Sequence, residues 1–141
     1  GTMVRELKGH KDGLSSVCMS ADGKHVVTAS EDKTARVWLL SSGAHVRTLE
    51  GHTSYVLSAC VTPDGKHAVT ASWDKTARLW DGESGAALLT LEGHTQTVKA
   101  VACVAVGDGW QLRVQLGDYG VPLTPSACAN TMPRQLYSLQ P

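Results

Sequence analysis

The apolar positions of the first ninety residues fall into short runs and not into helical faces. Leu14 to Ser20, His25 to Ser30, Ala35 to Leu40 and His45 to Leu49 are rich in valine, leucine, alanine and small hydroxyl residues, and clusters of Asp, Gly, Lys and Ser separate them. Runs of that length between such stops predict four strands per unit. Ala21-Asp22-Gly23 and Pro63-Asp64-Gly65 supply tight-turn chemistry, because glycine tolerates positive φ and proline pre-sets φ. The next hairpin turns at Glu31-Asp32-Lys33-Thr34 and again at Trp73-Asp74-Lys75-Thr76. Tyr55 to Thr62 carries apolar or small residues on both phases, which predicts burial on both faces, as when sheets stack about 10 Å apart.

These elements repeat. Gly9-His10, Gly51-His52 and Gly93-His94 recur every 42 residues, as do Trp38 and Trp80 and the turns Asp22-Gly23 and Asp64-Gly65. Residues 7–48 laid over 49–90 without a gap share 23 identities in 42 positions. Cys18 and Cys60 are also 42 apart inside apolar stretches, which predicts two small buried hydrophobes at equivalent strand positions.

In its period, Gly-His start, Asp-x-Thr turn and tryptophan the chain resembles the WD-repeat (WD40) family, whose units run to about 40–45 residues. The resemblance covers two full units and the start of a third, residues 7 to about 99; only the second has the full Trp80-Asp81 pair, since Leu39 follows Trp38. It implies an all-β fold, an incomplete β-propeller of four-stranded antiparallel blades. The expected division is residues 1–6 as a cloning remnant or fragment boundary followed by an edge strand, 7–48 as blade one, 49–90 as blade two, and 91–141 as a degenerate third blade and tail. Val4 to Leu7 looks like the outer fourth strand of a preceding blade.

His10, Thr28 and Asp32, with His52, Thr70 and Asp74, have the residue types of a hydroxyl nucleophile with its base and orienting acid. The resemblance implies otherwise: with Trp38 and Trp80 they form a structural tetrad in each blade, Asp to His, His to the hydroxyl, hydroxyl to the indole N–H. Repetition at one blade's pitch supports a fold-forming network, because catalysis gives no reason to duplicate a triad. His25, His67 and His45 lie outside the tetrads, and His25 and His67 are expected to be solvated. Lys33, Arg36, Lys75 and Arg78 read as ordinary solvated surface.

Charge and composition narrow the function classes. Lys plus Arg and Asp plus Glu balance at 13 each, so no basic footprint argues for nucleic acid or an acidic membrane. No apolar run approaches the ~18–20 residues of a membrane span, and no secretory signal pattern opens the chain. The four cysteines, Cys18, Cys60, Cys103 and Cys128, lack zinc-site spacing, so neither metal nor cofactor is expected, and unpaired thiols fit a reducing, cytoplasmic setting.

The third unit departs from the pattern after Leu91-Glu92-Gly93-His94-Thr95. Trp110 to Leu116 alternates as a half-buried second strand, Asp118 takes the tetrad aspartate's place, and Val114 and Thr124 stand where the hydroxyl and tryptophan belong. Pro122 to Pro133 reads as loop or disorder, and Gln135 to Gln140 echoes a fourth strand. Beyond residue 105 less order is expected, whether from a degenerate blade or from a frameshift, truncation or wrong gene model.

The function expected is a non-catalytic protein–protein interaction scaffold. Trp73 stands beside Asp74 where the first unit has Glu31, and Tyr55 replaces Gly13, so Trp73, Tyr55 and Glu31 are the candidate positions for a protein or peptide partner. The alternative for Trp73 is packing against a neighbouring loop. The alternative for the chain is a purely structural module, and either a homo-oligomer that completes a ring or an open, only marginally soluble fragment is expected because two or three blades fall short of the usual ~4–8.

Overall fold

The computed structural model describes residues 1–106, 109–117 and, as backbone alone, 135–139. Eleven strands form among them: β1 Leu14–Met19, β2 His25–Ser30, β3 Ala35–Leu39, β4 Ala44–Leu49, β5 Val56–Val61, β6 His67–Ser72, β7 Ala77–Asp81, β8 Ala87–Leu91, β9 Val98–Val106, β10 Gly109–Leu116 and β11 Gln135–Leu139. β1 to β4 and β5 to β8 make two four-stranded antiparallel meanders, and β9, β10 and β11 make a three-stranded sheet. This is the all-β, incomplete propeller that the repeat implies.

Turn chemistry sets the register within each sheet. Asp22 Oδ1 accepts the Ser20 hydroxyl at 2.5 Å and the Lys24 amide at 2.9 Å, and Asp64 does the same for Thr62 and Lys66 at 2.5 and 3.0 Å. The following hairpin turns through Lys33 and Lys75, at φ 71° and 69°, a left-handed conformation that costs a side-chain-bearing residue energy. Asp32 and Asp74 hold these turns by accepting the Thr34 and Thr76 amides at 3.0 and 2.9 Å.

Each blade buries its second and third strands against the first strand of the next. Val27, Ala29, Ala35, Val37 and Leu49 pack on Val56 and Ala59; one blade later Val69, Ala71 and Ala77 pack on Val98 and Val101. Alanine at the closest positions lets the sheets approach. The Ser15 hydroxyl adds a polar link across the first interface by donating to the Val56 carbonyl.

No sheet among the described residues covers β1 of the first blade, and its side chains show what that means. Val17 is 68% exposed where its repeat equivalent Ala59 is 4%, and Leu14 is 59% exposed where Val56 is fully buried. Cys18, expected to be buried like Cys60, is only half-buried for the same reason. Val4–Leu7 makes no ladder among the described residues. It nevertheless lies where a fourth strand would run: Arg5 and Leu7 approach Gly43 as Arg47 and Leu49 approach Gly85.

In the third sheet β10 contains the expected second strand. β11, however, pairs with β10 and so occupies the third-strand slot and not the fourth. The register puts Tyr137 opposite Leu112, the position of Trp80 opposite Ala68, so Tyr137 and not Thr124 holds the tryptophan's place in the ladder. Asp118, Thr124 and Pro122 to Pro133 lie outside the described residues, as does most of the segment expected to be less ordered.

Gly9 and Gly51 are constrained by both backbone and neighbours. Their φ values are 152° and 145°, and an added Cβ would lie 2.3 Å from Arg36 Nη1 or 2.5 Å from Arg78 Nη1. Gly51→Ala should therefore destabilise the chain by about 1–3 kcal/mol, the usual cost of forcing a side chain into such a conformation, whereas Gly65→Ala meets nothing within 4 Å and bears only the φ cost. Thermal melts of the two variants check this: the Gly51 variant should melt lower.

Candidate functional site

The polar centre of each full blade is built from four elements of the repeat. The Gly-His turn brings in the imidazole, β2 or β6 the threonine, the following turn the aspartate, and β3 or β7 the tryptophan. In the first blade His10 Nδ1 lies 2.8 Å from Asp32 Oδ2, His10 Nε2 2.7 Å from Thr28 Oγ1, and the Trp38 indole N–H donates to Thr28 Oγ1 at 2.8 Å. The second blade repeats this with His52, Asp74, Thr70 and Trp80 at 2.7, 2.7 and 2.8 Å.

The indole can only donate, so the threonine oxygen accepts it and keeps an O–H that can donate to Nε2, which leaves Nδ1 to donate to the carboxylate. Each carboxylate is also held by a backbone amide, Lys11 to Asp32 and Thr53 to Asp74, both at 3.1 Å. Burial raises the Asp32 pKa, but the Thr34 hydroxyl, the His10 ring and the Lys11 and Thr34 amides outweigh it and hold the carboxyl well below 3.8. Asp74 is depressed likewise: burial opposes, and the His52 ring and Thr76 hydroxyl prevail.

The atom order Asp–His–hydroxyl matches a hydrolytic triad. The surroundings do not. Thr70 is fully buried, Trp80 is 1% exposed, and the threonine oxygen is already engaged by ring and indole, so no substrate atom can reach it. Among the described residues no cluster of three His, Cys, Asp or Glu is arranged to hold a metal.

Several supporting residues escaped the sequence reading. Arg36 and Arg78, expected as solvated surface, cross over Gly9 and Gly51, and their Nε atoms are buried without a hydrogen-bond partner. Ser30 and Ser72 donate to Gly13 and Tyr55 carbonyls at 2.9 and 2.8 Å and accept the Asp32 and Asp74 amides at 3.1 Å, which aims each carboxylate. His67, expected to be solvated, has a buried, unpartnered Nδ1 and lies 6.5 Å from the Trp110 ring of the next sheet. Identity between repeats was the available signal for Arg36/Arg78 and Ser30/Ser72.

Among the described residues the third unit keeps the imidazole of the tetrad but not its hydroxyl. Val114 pairs with Val101 as Thr70 pairs with Ala59, so a valine occupies the hydroxyl's place, and His94 Nε2 is buried with no hydrogen-bond partner. Burial alone lowers the His94 pKa.

The candidate docking residues lie at the end of the blades where the tetrad aspartates turn. Tyr55 and Trp73 are 36% and 37% exposed, with ring centroids 5.2 Å apart at 37°, and the Trp73 amide donates to the Tyr55 carbonyl at 3.0 Å. The same backbone bond in the first blade joins exposed Glu31 to Gly13 at 2.9 Å. Trp73 thus both packs on a neighbouring loop and shows a face to solvent.

Comparison with known proteins agrees with this geometry. The family model described as "WD domain, G-beta repeat" matches residues 1–38 and 43–81. Nuclear distribution protein PAC1 of Candida albicans is 41% identical over 39 residues, 28% of this chain and 8% of that protein. Small ribosomal subunit protein RACK1 of Caenorhabditis elegans is 44% identical over 43 residues, 30% of this chain and 13% of that protein. Among solved structures, U3-55K superposes with a TM-score of 0.72 at 25% identity, over 78% of this chain and 35% of the other, and the RRP9 WD40 repeats do so equally well, over 34% of that chain. The chain therefore spans only a small part of the length of these relatives.

Two outcomes test the network. Asp74→Ala should cost about 1–3 kcal/mol, the price of unpaired buried donors. The depressed carboxylate contributes above 3.8 and loses its contribution as pH falls through its folded value, so the deficit should shrink in melts taken from neutral pH down to about 3. For His94 the unfolded chain takes up a proton near 6.5 that the folded chain resists, so stability should fall as pH drops below that value. Val114→Thr offers His94 Nε2 an O–H, and should be less damaging than Val69→Thr, which buries an unpartnered hydroxyl, by about 1 kcal/mol in denaturant titrations.

Proposed function

Because the chain belongs to the WD-repeat (WD40) family, whose members are interaction scaffolds, we propose that it is a protein–protein interaction scaffold without catalysis, docking a protein or peptide through the Tyr55–Trp73 pair and the neighbouring Glu31. The observation that carries this is the aromatic pair itself: two rings tilted against each other and a little over one-third exposed, at two of the positions where the second blade departs from the first. Paired aromatics offer large contact area at little entropic cost, which is why they anchor interfaces. Glu31, one blade away, adds a negative charge that would select a partner with a basic residue beside an apolar one. The tetrads are consumed by the fold and leave no group for chemistry. The balanced charge favours neither nucleic acid nor a membrane surface, and free thiols at Cys18, Cys60 and Cys103 accord with a reducing compartment such as the cytoplasm.

Selection from a displayed peptide library tests the docking site. Binders should lose about 10-fold or more in affinity on Trp73→Ala, the scale of an interface hot spot, while the melting temperature stays within a few degrees. Unchanged affinity, or the failure of any sequence to enrich, would leave a purely structural module as the better description.

A second reading concerns assembly, and the exposed face of β1 favours it. Leu14, Val17 and Met19 occupy positions that the second blade buries against the first, so this face is shaped for another blade. In solution this chain alone can supply that blade only from a second copy, as two three-blade or several two-blade copies closing a ring, with Val4–Leu7 reaching the open edge of a neighbouring sheet. Light scattering should give a multiple of the chain mass. A monodisperse monomer refutes it.

A further inference from the structure

Three cysteines lie on the innermost strands: Cys18 on β1 and Cys60 on β5 at the 42-residue pitch, and Cys103 on β9 one residue beyond it. Cys60 and Cys103 face each other across the second blade interface with sulfurs 2.8 Å apart, both as free thiols. That is closer than the usual carbon–carbon contact of about 3.5–4.0 Å, and a bond forms at ~2.0 Å, so little movement separates the pair from a covalent link. Cys18 packs against the same cluster from the other side and is itself half-buried. The docking function described above uses none of the three.

We propose that Cys60 and Cys103 are a redox modification site, a dithiol that a hydroperoxide converts to a disulfide stapling the second blade to the third sheet. Their environments divide the labour. Cys103 is half-buried and can be reached by a small oxidant, while Cys60 is buried and its thiol is held in the protonated form, first by the Cys103 thiol beside it and then by burial. The Cys103 thiolate attacks one oxygen of hydrogen peroxide, the O–O bond breaks, hydroxide leaves and a sulfenic acid forms. The Cys60 sulfur then attacks the Cys103 sulfur; the S–S bond forms, the S–O bond breaks, and the departing hydroxide takes the Cys60 proton as water. The peroxide is reduced by two electrons and the two thiols supply them. Cys60 is a slow partner while protonated, which suits a site that responds to sustained oxidant and not to the resting level.

The location gives the link a purpose. The third sheet lacks the hydroxyl of the tetrad and leaves His94 Nε2 unpartnered, so its attachment to the second blade rests mainly on apolar packing with Val98, Val101 and Leu112, with one long hydrogen bond from the Val101 amide to Ser58 Oγ at 3.4 Å. A bond that closes a loop across a sequence separation of 43 residues restrains the unfolded chain strongly.

The test uses the full chain treated with hydrogen peroxide, blocked with an alkylating reagent and mapped by mass spectrometry without reduction. The expected result is one dominant cross-linked peptide joining Cys60 to Cys103, with a melting temperature raised by ~10 °C and restored by dithiothreitol. Cys18→Ser should keep both effects, and Cys103→Ser, at the less buried partner, should abolish both. Cys60 and Cys103 that remain alkylatable after oxidation overturn the proposal. So does a dominant link from Cys18 to Cys60 or one involving Cys128. Should Cys103→Ser fold poorly, the map of the unsubstituted chain and of Cys18→Ser decides alone.

Discussion

Everything in a blade is organised around one buried oxygen. Thr28 Oγ1, or Thr70 Oγ1, accepts the indole of the third strand and binds the imidazole from the preceding turn, and the imidazole in turn holds the carboxylate that shapes the next hairpin. Three segments distant in sequence are thereby tied to one atom. In a nearly dry interior such a chain is worth keeping only when every donor has an acceptor, because a single missing partner leaves the rest buried and unpaired. The backbone follows from it: the glycine before the histidine must be bare so that arginine and tryptophan can pass over it, and the lysine after the aspartate accepts a left-handed conformation so that the turn can present its carboxylate.

The two full blades could be read from the chain because they say everything twice. The strands, the Asp-Gly turns and the four tetrad residues all lie at positions where local propensity and repetition agree. What could not be read were relations that exist only between blades. The arginine of Lys-Thr-Ala-Arg looks like a surface charge until the neighbouring glycine turn is folded over it. His67 follows a polar turn and looks solvated, yet the next sheet brings Trp110 to its ring. Cys18 and Cys60 match in sequence and differ in exposure because one has a preceding blade and the other does not.

The third unit misled for another reason. Counting forward by the 42-residue period plus the two-residue lag of the Asp108-Gly109 turn placed its tryptophan equivalent at Thr124, but the register shows that the ladder skips ahead and takes Gln135–Leu139 as its third strand. Spacing predicts position only while the loops keep their lengths. The docking residues stood out by the opposite logic: Trp73 and Tyr55 are aromatic substitutions at positions where the second copy of the repeat departs from the first.

An array in which each sheet touches only its neighbours does not unfold as a single cooperative body. Its free energy is close to a sum of intrinsic terms for each sheet plus one coupling term for each interface, and the weakest sheet sets where opening starts. His94, an imidazole buried with an empty nitrogen, lowers the intrinsic term of the third sheet alone. Opening should therefore run as a front from that end toward the N-terminus, with the third sheet lost first and the second blade uncovered after it.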